Sequence, residues 1–325
     1  MANTSLKDVA RETGLAVSTV SYALRGAPNI PAETCARVRE AAERLGYRRN
    51  ARVAELMAGI RRGRGAESGD RLALVWAGGA RDVLGREVAA GAKARAAALG
   101  YGMQEFSLAE AGKRPGRLAD ILGSRGIAGV VFGPVFDRER VEVDWPWERF
   151  AMAVVGTAEW RAPLSRAAHH HYEAMRLALA ALASRGARRP ALWVDAVTNE
   201  RAHRGWQAAW LAYGPRGSAG RIELTRGDDA ERTAAWLRRV RPDAIVAVNA
   251  GGVARLREAG WQGTAANTLL LDRQGSTAFA GVDQRYDIIA GHAVDLVVAQ
   301  LQRNERGLPD PPRALWFPGR WAEAG

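Results

Sequence analysis

Glycine spacing is the feature that most constrains how this chain begins. The stretch Ser5–Gly26, SLKDVARETGLAVSTVSYALRG, is interrupted at Gly14 and closed at Gly26, so each helix it forms is short. Leu6, Val9, Ala10 and Thr13 recur at helical spacing, and Ser5-Leu6-Lys7-Asp8 reads as a capping box with Asp8 in the place of the usual Glu. Val17–Leu24 predicts a second helix with Val20 and Leu24 on one face. Pro31 opens a third helix, whose apolar stripe is Val38, Ala41, Ala42 and Leu45, and Gly46 closes it. Helices this short cannot stand alone, so they must pack on one another. Two of them joined through a glycine turn predict a helix-turn-helix unit. In such a unit the second helix enters the DNA major groove with its early side chains at base edges. Ala10 and Gly14 are then expected to permit a close crossing, with Val20 and Leu24 facing inward. Val17, Ser18, Ser21 and Tyr22 are expected to face outward.

Charge supports a nucleic-acid partner. The net charge is +12, and residues 1–65 hold 12 Lys and Arg against 6 Asp and Glu, so half the excess lies in a fifth of the length. Arginine enrichment from a GC-rich genome would raise the charge everywhere, which suits the rest of the chain better than its start. Hydrophobic residues make up 47% of 325, enough for a core and two or three domains. The single cysteine, Cys35, excludes an internal disulfide and fits a reducing cytoplasm. The absence of an apolar run of about 18 residues predicts no membrane span, and the N-terminus lacks a signal-peptide pattern. The expected localisation is therefore cytoplasmic.

Residues 61–69, RRGRGAESG, read as a linker, and the pattern then changes. Apolar strands are predicted at 72–76, 129–132, 152–155, 191–194, 244–248 and 268–271. Helices are predicted between them, among them 85–99 and 174–184. Alternating strands and helices imply parallel sheet covered on both faces. Such sheets bind ligands beyond the carboxyl ends of their strands. That rule selects Trp76, Gly78, Pro134, Thr157, Asp195, Asn249 and Asp272. Three adjacent histidines, His169–His171, cannot all point at one ion, so no metal is expected there. No nucleophile elbow, phosphate-binding loop or metal motif is found, so neither a catalytic residue nor a cofactor is predicted.

The stretch LKDVARETGLAVSTVSYALRG, followed by TCARVREAAERLGY, resembles the headpiece of the lactose/galactose repressor (LacI/GalR) family of bacterial transcription regulators. The shared pattern is L-x-D-V-A, T-V-S, R-V and L-G-Y. The resemblance implies that Val17, Ser18 and Tyr22 read bases, while Thr19, Ser21, Asn29 and Thr34 hold phosphates or the groove rim. Leu6 and Asn50 complete the DNA-contacting set. A hinge helix would follow, with Leu56, nine residues after Tyr47, as a wedge in the minor groove, and Ala54 and Ala58 would let two hinge helices pack in a dimer. Ala16 stands where the family usually has Ser, Tyr22 where it has Arg or Asn, and Arg49 where it often has Pro.

From residue 70 the chain resembles the family's effector domain, a two-lobed fold similar to periplasmic sugar-binding proteins. PDAIVAVNAGG, DQRYDIIAGHAVDLVVAQLQ and LWFPGRW carry that likeness. The expected fold is thus α/β: an N-terminal all-α helix-turn-helix headpiece plus a two-lobed parallel-sheet periplasmic-binding-protein-like domain. The expected divisions are 1–48 for the headpiece, 49–69 for hinge helix and linker, and 70–325 for effector binding and dimerisation. The lobes are expected at about 70–165 with 284–308, and 166–283 with 309–325. The resemblance implies effector contacts from Trp76, Thr157, Asn249 and Asp272, and from Arg201 or its rival Arg204. His170 stands where an aspartate often begins a helix, and Ala250 replaces the aspartate usual after the asparagine.

The reading that follows is a DNA-binding transcription regulator, a repressor by resemblance, controlled by a small-molecule effector such as a sugar or sugar derivative. A homodimer would meet a near-palindromic double-stranded operator, with no membrane partner. No heptads follow GRWAEAG, so no tetramer-forming tail is expected. The competing readings are a cytoplasmic solute-binding protein or an enzyme without sequence-specific DNA binding, and a nucleoid-type architectural protein.

Overall fold

A computed structural model describes residues 6–24, 30–45, 71–78, 83–108, 115–135, 140–225, 227 and 229–325. The chain divides into two compact units, Met1–Ser68 and Gly69–Gly325. Among the described residues the first holds α1 (Leu6–Thr13), α2 (Val17–Ala23) and α3 (Ala32–Arg44). Val9, Val20, Ala23, Cys35 and Val38 are buried between them, with Leu15, Leu24, Ile30 and Leu45 packed around. Small side chains dominate this core because short helices must approach closely to bury anything.

Gly14 acts through conformation rather than through closeness. Its φ is +68°, and a Cβ there would meet nothing within 4 Å. The Leu15 N–H bonds the Ala10 carbonyl at 3.1 Å, the pattern by which a helix ends on a left-handed residue. The expectation that Gly14 permits a close crossing is thus replaced, while Ala10 is buried as expected.

The second unit opens with β1 (Arg71–Trp76), α4 (Val83–Ala98), β2 (Gly102–Ser107), α5 (Pro115–Ser124) and β3 (Gly129–Phe132). Next come β4 (Arg140–Val141), β5 (Ala151–Val155), β6 (Glu159–Trp160) and β7 (Ser165–His169). A second series follows: α6 (His171–Ser184), β8 (Pro190–Asp195), α7 (Ala196–Arg201), α8 (Gly205–Tyr213) and β9 (Ile222–Thr225). It continues through α9 (Ala230–Val240), β10 (Ala244–Ala247), α10 (Ala250–Glu258), β11 (Thr268–Leu270) and β12 (Gly281–Asp283). The chain closes with α11 (Tyr286–Arg303), β13 (Ala314–Phe317) and β14 (Arg320–Ala322).

Two six-stranded sheets result, ordered β13-β7-β5-β3-β1-β2 and β14-β12-β11-β10-β8-β9. Every pairing within them is parallel except β12 with β14. The central strands β1, β3, β5, β8 and β10 are near-continuous apolar runs because both faces are covered. Leu72 and Leu74 of β1 pack with α4 and α11, while Ala73 and Val75 meet α5, Phe150 and Trp145 on the opposite face. Likewise Leu192 and Val194 of β8 face α6 and α8, and Ala191 and Trp193 face Trp236.

The chain crosses between the sheets three times. The crossings fall at His170, between β7 and α6; at Gln284-Arg285, between β12 and α11; and at Pro318-Gly319, between β13 and β14. The first and third lie beyond the expected boundaries at 165 and 308, because β7 and β13 pair with each other in the first sheet. LWFPGRW accordingly spans two strands, one in each sheet. A Cβ on Gly319 would lie 2.2 Å from Val282 Cγ1, so the third crossing has room only for glycine.

Candidate functional site

Two surfaces collect the sequence-derived candidates, one in each unit. In the first unit Val20 and Ala23 fill the core side of α2, which turns Val17 and Tyr22 outward, each 41% exposed. Thr19 on α2 and Thr34 on α3 are half-buried at the edges of the bundle. The side chains of Leu6, Ser18 and Ser21, and all of Ser5, Asn29, Asn50, Leu56 and the hinge segment 49–69, lie outside the described residues. Ala16 begins α2 in an extended conformation with no side-chain cap hydrogen bond, so the Ser-to-Ala departure leaves the helix start uncapped.

In the second unit a cavity of about 290 Å³ opens at the carboxyl ends of both sets of strands. The loops after β3 and β5 bring Pro134, Val135, Gly156 and Thr157 to one wall. Those after β10 and β11 bring Val248, Asn249, Asp272 and Gln274 to the other, where Thr198, Arg201 and Ala202 of the segment after β8 join them. Thr157, Arg201, Asn249 and Asp272 therefore meet in one place. Arg204 is absent from the lining: it takes a left-handed φ of 54° between α7 and α8 and turns to an exposed pair with Glu200 at 2.8 Å. Trp76 is also absent. It is buried in the first sheet's core and donates its Nε1–H to Glu105 Oε2 at 2.9 Å.

The floor of the cavity is built from three residues that flank the chain crossings and from Trp206 at the start of α8. Tyr286, His169, His171 and Trp206 follow one another as a row of rings, with centroids 4.3, 5.4 and 4.4 Å apart. His169 ends β7 and His171 begins α6, so they lie two residues apart on either side of the first crossing. Burial pushes the His169 imidazolium pKa down to about 3, against an opposing backbone hydrogen bond at Gln284. Burial likewise drives His171 well below the ordinary value, and the neighbouring His169 and Arg201 add to it. Both rings are neutral at pH 7. Thr157 Oγ1 lies 3.4 Å from His171 Nε2.

Asp272 is the carboxyl of this floor. Burial raises its pKa to about 6, partly offset by the Tyr286 hydroxyl, which donates to Oδ2 at 2.6 Å, and by Gln274. Burial and the adjacent Asp272 hold the Tyr286 phenol well above its usual pKa. Arg201 is thus the lasting positive charge of the lining, opposed by one carboxyl whose ionisation is held back.

The two departures from the family pattern now have structural content. His170 is not in the lining; its Nδ1 accepts from the Glu173 N–H at 3.2 Å and caps α6, the task an aspartate performs at a helix start. Asn249 lines the cavity and caps α10 through Gly252 N–H at 3.0 Å, with Ala250 as the first helical residue. Among the described residues no group of three or more His, Cys, Asp or Glu is placed to hold a metal ion. Sequence reasoning did not place His169, His171, Tyr286 or Trp206 in the site; Trp206 is buried and also lines the cavity. The usable signal was position, since each sits beside a chain crossing or at a helix start facing the strand ends.

A small helical unit whose described residues form three packed helices, followed by a two-sheet cleft, defines a helix-turn-helix protein with a ligand-binding second part. Residues 5–50 match the family model described as bacterial regulatory proteins, lacI family, so the first unit is a lacI-family domain. Solved structures extend the likeness over the whole chain. The transcriptional regulator CelR in complex with cellobiose is 17% identical with a TM-score of 0.56, covering 99% of this chain and 100% of that one. The lac repressor dimer bound to operator and the anti-inducer ONPF is 17% identical with a TM-score of 0.55, covering 99% and 98%. A regulatory protein of LacI family from Chloroflexus aggregans is 18% identical with a TM-score of 0.56, covering 78% and 97%. At such identities the likeness shows the fold: a headpiece and a two-lobed α/β part of the expected kind. No curated protein sequence matches the chain. The matched family and these structures are transcription regulators. No helix among the described residues is long and apolar enough to cross a membrane.

Proposed function

We propose that this protein is a sequence-specific DNA-binding transcription regulator of the cytoplasm, a repressor in kind, switched by a small molecule held in the cleft of its second unit. The observation that carries this reading is the pairing in one chain of a lacI-family helix-turn-helix domain with a cavity at the crossings between two parallel sheets. Neither part accounts for the other: a solute receptor has no use for the first, and an architectural DNA protein has no use for the second. The protein acts as a homodimer, since two headpieces on a two-fold axis suit a near-palindromic operator. The effector is carbohydrate-related, a class supported by the cellobiose bound to CelR. Arg201, Asn249, Thr157 and Asp272 offer it a cation, an amide, a hydroxyl and a carboxyl. Lobe closure around it is the change that alters operator affinity.

The test is selection of bound duplexes from a random pool near 150 mM salt, where phosphate attraction alone is weakened. Enrichment of a palindrome with a deformable central step is expected. Binding that stays sequence-independent at that salt overturns the reading. Leu56→Ala is expected to weaken the selected site about tenfold or more while leaving non-specific binding nearly intact, as loss of a minor-groove wedge should. Equal loss of both removes that role from Leu56.

A further inference from the structure

The recognition helix is unusual in what it lacks. The seven residues of α2, VSTVSYA, include no Arg, Lys, Asn, Gln, Asp, Glu or His. Bidentate reading of guanine needs Arg or Lys, and of adenine Asn or Gln, while cytosine is read by a carboxylate. None of these contacts is open to this helix. Its side chains that are both large and outward are Val17 and Tyr22, each 41% exposed, while Val20 and Ala23 are turned into the bundle. They stand roughly 7.5 Å apart along the helix axis, about two base steps at ~3.4 Å per step. An apolar side chain has one base-specific partner in the major groove, the 5-methyl group of thymine.

We infer that α2 reads its half-site through pyrimidine 5-methyl groups, with Val17 and Tyr22 as the methyl-contacting residues, and that the base pairs under this helix are A·T with no required guanine. The inference rests on the proposed DNA-binding function. Serine and threonine hydroxyls suit either base and add no preference for guanine.

The probe is the operator obtained by selection, remade with deoxyuridine for thymine at each position under α2, which deletes the methyl and nothing else. Each deletion at a contacted position is expected to cost roughly fourfold in affinity, the worth of one buried methyl, and more when both half-sites change together. Replacing the same T·A pair by 5-methylcytosine·G is expected to bind more tightly than cytosine·G. Val17→Ala, a substitution at an exposed site, is expected to bind thymine and uracil operators alike at the position Val17 covers. Equal binding of thymine and uracil operators by the unaltered protein overturns the inference, and so does a selected site with an invariant G·C pair under α2. A pool with no enriched sequence sinks the DNA-reading function itself, so the two failures are distinct.

Discussion

The two units are held together by different means. In the second, helices α6, α7, α9 and α10 begin on side-chain caps, from His170, Asp195, Asp229 and Asn249, while α8 and α11 begin without one. In the first, α2 and α3 begin at Ala16 and Pro31 with no side-chain cap. The second unit buries whole strands on both faces; the first buries a handful of small side chains. A unit so small gains little from burial and sits near the margin of stability. The difference teaches where each sequence is answerable. Residues of the first unit are chosen for what they present outward, and those of the second for what they enclose.

Breaking the second unit should take one methyl group in the right place. A Cβ on Gly91 would lie 2.1 Å from the Asp287 carbonyl oxygen, backbone against backbone, where α4 crosses α11. Gly91→Ala is expected to cost about 3 kcal/mol or more, read as a lower urea midpoint for the second unit. The helical signal of the first unit should be unaffected. An unchanged midpoint would mean that this helix crossing is looser than described.

The cleft floor should show the tension between stability and binding. With the folded pKa of Asp272 raised to about 6, the folded state keeps a proton that the unfolded chain loses from about pH 4 upward. Stability from this group is therefore lost as pH rises from about 4 to 6, by about 3 kcal/mol in all. Asp272→Asn is expected to raise the melting temperature at pH 8, to change it little at pH 4, and to weaken effector binding. His169 and His171 act with the opposite sign. Their folded pKa values lie below the unfolded value, so their contribution is present above about pH 6.5 and fades on acidification. His169→Gln is expected to flatten the fall in melting temperature between pH 6.5 and 4. A variant that melts with the same acid slope as the parent would show that this ring is solvated.

The smallest effect sharpens the comparison from the other side. Ala16→Ser supplies the missing cap of α2 and is expected to stabilise the first unit by about 1 kcal/mol, seen as slower amide exchange in α2 within the full chain. No change in exchange would mean that the start of α2 is not what limits this unit.

Much of the fold was legible because its physics is local. Strands such as 72–76 and 244–247 are apolar runs between glycines and polar turns, and helix 83–98 declares itself by its alanines and by Gly100. Two strands without an apolar run, one at the edge of the first sheet and one inside it, were not legible. Gly102–Ser107 is only half-buried along its length, and Ser165–His169 starts and ends on polar side chains that the fold then buries, so neither reads as a strand. The strand-end rule selected Thr157, Asn249 and Asp272, which line the cavity, together with Trp76, which does not, because the rule cannot tell cavity from core. Arg201 and Arg204 could not be separated by counting. The break between α7 and α8 that turns one into the cleft and the other to Glu200 is a backbone feature without a sequence mark. His169 and His171 were hidden because adjacency argued only about metal, whereas the chain crossing between them sets both rings on the floor.

The most direct test of the account joins its two halves. The full-length protein is melted against a panel of mono- and disaccharides and their acids, and any compound that raises the melting temperature is titrated into the complex with the selected operator. The account predicts that such a compound changes operator affinity by fivefold or more, within the range of ordinary coupling, and that Arg201→Ala abolishes both the melting shift and the change in affinity. A compound that binds through Arg201 and leaves operator affinity untouched would contradict it.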